Sequence, residues 1–88
     1  MLVFFSFTMK IEIDKHIIID PEICHGKPIF KGTRIMVWQV LEMMEAGAST
    51  KKITEAFPSL TPKAIKAALH YAVTITRGTN NVIINVGA

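Results

Sequence analysis

Two glycines and a proline punctuate one short apolar run, Gly26-Lys27-Pro28-Ile29-Phe30-Lys31-Gly32-Thr33-Arg34-Ile35. Pro28 fixes its own φ and has no N–H to donate, so a long central strand through it is excluded. Gly26 and Gly32 supply backbone freedom for tight turns. The stretch therefore reads as a turn, an extended piece and a second turn, which together deliver Thr33 and Arg34 to a helix entrance. Gly26, Pro28, Gly32, Thr33 and Arg34 are its structural residues. Arg34 has two readings: a phosphate ligand, or a partner for Asp20 or Glu22 that pins the module to the helices.

A chain of 88 residues makes one domain, 1–88, with a thin core that a dimer interface would help to complete. Half of the residues are hydrophobic, too many for a disordered tail. The single cysteine excludes an internal disulfide and a C-x-x-C metal or redox motif, and nothing here requires an oxidising compartment, so the cytoplasm is expected. The apolar start, residues 1–8, is too short for a membrane span and lacks the basic n-region of a signal peptide. Met9 opens a more ordinary beginning, which leaves residues 1–8 as a candidate upstream start-site extension.

Odd positions from Val3 to Ile13 are all apolar, and even positions from Ser6 onward are polar. This period of two predicts a half-buried strand. Residues 17–19 predict a second extended piece, ended at Asp20-Pro21. A first helix is expected over residues 36–46, with Val37, Val40, Leu41 and Met44 as its buried stripe and Gly47 as its C-terminal cap. Ser49 caps a second helix over residues 50–57, with Ile53, Ala56 and Phe57 inward. Thr61-Pro62 starts a third helix over residues 62–76. Its expected buried positions are Ile65, Ala68, Leu69, Ala72 and Val73. Residues 82–86 predict a last strand, pairing with the first. The fold class is α+β: a trihelical helix-turn-helix core with short flanking β-strands.

The net charge is only +3, but its distribution is uneven. Residues 1–55 carry seven basic and seven acidic side chains. Beyond Glu55 there are only Lys63, Lys66 and Arg77, and no acid. The expected second and third helices are joined by about four residues, Pro58 to Thr61. That is the helix-turn-helix arrangement, whose second helix enters the major groove by its N-terminal end. Lys63, Lys66, Ala67 and His70 recur at helical spacing opposite the expected buried stripe. Lysine reaches phosphates or the guanine edge, and a small Ala67 allows close approach. Lys51 and Lys52 open the second helix, where such motifs touch the DNA backbone. Lys51, Lys52, Thr61, Lys63, Lys66 and His70 are thus the candidate DNA-binding residues. A solvated basic face on a protein-docking domain is the competing reading.

His16, Asp20, Glu22, Cys24 and His25 crowd one region without metal-ligand spacing, so no metal or cofactor is expected. No nucleophile–base pair or paired carboxylates are recognisable, so no catalytic residue is assigned.

Asp20-Pro21-Glu22-Ile23-Cys24, Gly26-Lys27-Pro28, Gly32-Thr33-Arg34-Ile35, Pro58-Ser59-Leu60-Thr61 and Ile65-x-x-Ala68-Leu69-x-Tyr71-Ala72 together resemble a small prokaryotic family, the domain of unknown function 433. The resemblance covers about residues 17–73. It implies a homeodomain-like helix-turn-helix fold. It also implies the antitoxin half of a type II toxin–antitoxin pair, beside a PIN-like ribonuclease toxin. The expected partners are double-stranded operator DNA, the cognate toxin and a second copy of the chain as a homodimer, with no membrane role. A protein-interaction module that binds an acidic partner without touching DNA is the alternative. Three positions depart from the family pattern. His25 replaces a common second glycine, Met36 a usual proline, and Lys63 a frequent acid.

Overall fold

The computed structural model describes residues 10–78. Three short strands, β1 (Ile11–Glu12), β2 (Ile17–Ile19) and β3 (Ile29–Phe30), precede three helices, α1 (Val37–Glu45), α2 (Thr50–Ala56) and α3 (Pro62–Thr76). The strands form one antiparallel sheet in the order β1-β2-β3. The α+β expectation holds, and each helix lies within one residue of its expected bounds. The predicted strand at residues 82–86 and the first part of the one at residues 3–13 fall outside the described residues.

Ile17 pairs with Phe30 in register, and both face the helices. They meet Val37, Val40, Ile53, Leu60 and Ile65 in the core. Full burial of such side chains contributes about 1.5–3 kcal/mol each. Ile18 pairs with Ile29 on the opposite face. That face carries a separate cleft, lined by Ile18, Ile23 and Ile29 and rimmed by Lys10, Asp20 and Arg34.

The burial pattern corrects the sequence reading at several positions. Ile11 and Ile13 are exposed, because β1 is an edge strand, Ile13 lies just beyond its end, and the core gathers on β2 and β3. Ala56 is exposed on α2. On α3, Leu69 is 50% and Val73 41% exposed, whereas Ala67 is only 9% exposed. The buried stripe is therefore rotated toward Ala64, Ile65, Ala67 and Ala68. Close approach of α3 to its neighbours requires those small side chains. Ala67 consequently belongs to the core and not to the basic face.

Candidate nucleic-acid interface

Both helices of the motif begin with a side-chain cap. Ser49 Oγ accepts the Lys52 N–H at 3.2 Å, and Thr61 Oγ1 accepts the Ala64 N–H at 3.1 Å. Pro62 takes the first helical position, where a missing N–H costs nothing. Between the helices, the Leu60 N–H donates to the Phe57 carbonyl at 2.9 Å, and Leu60 itself is buried. The turn is thus anchored from inside.

Lys63, Lys66 and His70 are exposed along one side of α3. Arg77 continues the same stripe seven residues after His70. Thr61 stands at its start, exposed, with its hydroxyl oxygen engaged in the cap. Lys51 and Lys52 are exposed in the first turn of α2, at the far end of that helix from the turn, about 10 Å away. No acidic side chain occurs in the first turn of either helix. The structure thus brings Thr61, Lys63, Lys66 and His70 together on α3 and sets Lys51 and Lys52 apart on α2.

The extended module is held by its backbone. Gly26 and Gly32 both adopt positive φ, 79° and 81°. The Pro28 carbonyl accepts the Val37 N–H at 2.9 Å, tying the module to the start of α1. Thr33 Oγ1 donates to the Phe30 carbonyl at 2.8 Å and accepts the Ile35 N–H at 2.9 Å. Four of the five motif residues thus shape the chain. Arg34 is exposed, and among the described residues it makes no ion pair with Asp20 or Glu22. Asp20 is instead buried, accepts the Glu22 N–H at 2.9 Å and faces Lys10 at 3.9 Å. Among the described residues, no three of His, Cys, Asp and Glu converge as metal ligands. No helix there is long and apolar enough to cross a membrane.

Two features escaped the sequence reading. A shallow cleft beside the start of α3 is lined by Lys15, His16 and Lys31 as well as by Ser59 and Thr61. The β1–β2 turn and the helix-turn-helix turn are far apart in sequence, so no periodicity announces it. The second is an apolar groove lined by Pro28, Val37, Trp38, Leu41 and Tyr71, with Lys27 at its edge. Trp38 is 47% exposed there.

Residues 17–72 match the family model "Protein of unknown function (DUF433)". The chain belongs to the DUF433 family. The uncharacterized protein y4eO of Sinorhizobium fredii is 40% identical over 52 residues, 59% of this chain and 24% of that protein. A DUF433 member from Anabaena variabilis, known from its crystal structure, superposes with a TM-score of 0.65 at 32% identity, covering 70% of this chain and 61% of that one. Rv2018 from Mycobacterium tuberculosis superposes with a TM-score of 0.60 at 26% identity, covering 68% of this chain and 29% of that one. The chain thus spans about a quarter of the y4eO protein and less than two thirds of either solved relative.

Two of the positions where the resemblance is imperfect acquire a physical meaning in this fold. His25 occupies φ 58°, between Cys24 at 53° and Gly26 at 79°. Glycine fits that conformation without strain, whereas each non-glycine residue there costs about 1–2 kcal/mol. Met36 is extended, at φ −82° and ψ 143°, a conformation that proline also adopts. Its N–H donates to Gln39 Oε1 at 2.9 Å, a bond that proline cannot make.

Proposed function

We propose that this DUF433 chain is a DNA-binding antitoxin of a type II pair. It neutralises a partner toxin, a PIN-like ribonuclease, and represses its own operon as a homodimer. The observation that carries the DNA half of this reading is the exposed stripe Lys63, Lys66 and His70 on α3. It begins directly after a capped, internally anchored turn and is free of acids along its whole length. Lysines in this position contact phosphates and guanine edges. Two such helices related by a two-fold axis read half-sites about 34–36 Å apart. The toxin half rests on the resemblance and on the apolar groove around Trp38, a surface of the kind that partner proteins cover.

The basic stripe also fits a second reading, a docking module that meets an acidic partner without contacting DNA. Titration of the chain's own promoter duplex across a salt series separates the two. A linear fall of log affinity with log salt supports the DNA reading. Absence of any shift on that duplex supports the docking module. Light scattering on the full chain tests the dimer, which a monomer at high micromolar concentration overturns.

A further inference from the structure

We propose that the β1–β2 turn is a second phosphate-contacting element beside α3, acting through Lys15. The inference rests on the DNA reading and names a contact that the helix-turn-helix pattern does not include. Lys15 and His16 line the same shallow cleft as Ser59 and Thr61, which lead into α3. A backbone that follows the start of α3 therefore passes beside the turn.

The turn is pre-formed. Asp14 Oδ1 accepts the His16 N–H at 2.7 Å and the Ile17 N–H at 3.0 Å. The Ile13 and Asp14 N–H groups both donate to the Ile17 carbonyl, at 2.9 and 3.2 Å. The Lys31 N–H donates to the His16 carbonyl at 2.8 Å and clamps the tip to β3. A cation displayed on such a turn loses little further backbone freedom on binding.

Among the described residues, the cation at the tip that is free to meet an anion is Lys15. Two carboxylates stand near the tip, and both are engaged. Asp14 is turned onto backbone N–H groups, and Glu12 pairs with Lys31 at 2.8 Å. Lys15 is exposed and makes no ion pair among the described residues. Its ammonium is a compact point charge suited to a phosphate.

The test uses the full chain and a labelled mixed-sequence duplex of about 30 base pairs, titrated between about 50 and 200 mM salt. Lys15→Ala is expected to bind about five- to tenfold more weakly near 0.1 M salt and to lower the salt slope by about 1, whatever the DNA sequence. Lys15→Arg retains the parent affinity. Lys27→Ala removes the same charge at the Trp38 groove and leaves the slope unchanged. Lys63→Ala reports on α3 independently. If Lys63→Ala weakens binding while Lys15→Ala matches the parent, the turn contact is overturned and the DNA reading stands. Equal losses from Lys15→Ala and Lys27→Ala also overturn it, because only net charge is then at work. A parent chain that binds no duplex overturns the DNA reading and the turn contact with it. Thermal melts of each variant confirm that the exposed lysines do not alter folding.

Discussion

The segment of residues 24–35, which contains the extended module, and helix α3 are held in shape by different forces. The module depends on backbone conformation. Its turns need Gly26 and Gly32 at positive φ, and Cys24 and His25 accept the same conformation beside Gly26. Side-chain volume matters little at Gly32, where an added Cβ meets nothing within 4 Å. Helix α3 has ordinary helical backbone and depends on volume. Ala64, Ala67 and Ala68 let it approach the rest of the core, and Ala68 is fully buried. Family motif residues occur in both regions, so the same resemblance marks two different physical constraints.

The largest expected effect lies in α3. Ala68→Leu inserts three carbons into a closed site and should destabilise by about 2 kcal/mol. Urea unfolding reads this directly, and an unchanged midpoint would show that α3 can shift to make room. In the module, Gly32→Val should cost more than about 1 kcal/mol, although the space around it is open, because valine resists positive φ. A melting temperature equal to the parent's would mean that the turn had found another conformation, and the contrast would fail. His25→Gly should stabilise by about 0.5–1 kcal/mol, the relief of a left-handed residue less the entropy that glycine adds to the unfolded chain. Differential scanning calorimetry shows whether the transition moves upward as expected. Smallest is Val73→Ser on the outer side of α3, expected within about 0.5 kcal/mol of the parent. A larger loss at low concentration would place Val73 under cover within a single chain. A loss that appears only as concentration rises would place it under a second copy.

The candidate site was legible where it lies on one helix. Lys63, Lys66 and His70 follow from spacing alone, since a helix of any packing carries them on one side. Arg34 was not legible. Its possible partners Asp20 and Glu22 were visible, but Lys10 faces Asp20 instead, and that pairing follows from β1 lying beside β2. Lys15 was equally hidden, because the cleft that it lines with Ser59 and Thr61 joins two turns about half the chain apart.

The amino-acid sequence by itself determined the helices and their ends. Gly47, Ser49, Thr61-Pro62 and Gly78 act on neighbouring backbone groups, and such local effects do not wait for a fold. It also determined that the chain must turn at Gly26 and Gly32. Tertiary structure decided which side of each element is covered. The apolar residues of α3 extend around more than one face, and Leu69 is as hydrophobic as Ile65. Ile65 is buried and Leu69 half-exposed because the core closes over one side only, and Ile75, near the helix end, is 45% exposed. In the same way, alternation marked Ile11 and Ile13 as one face, but their position on and just after the edge strand left that face uncovered among the described residues. Periodicity is a property of one segment, whereas burial requires a second surface to pack against it.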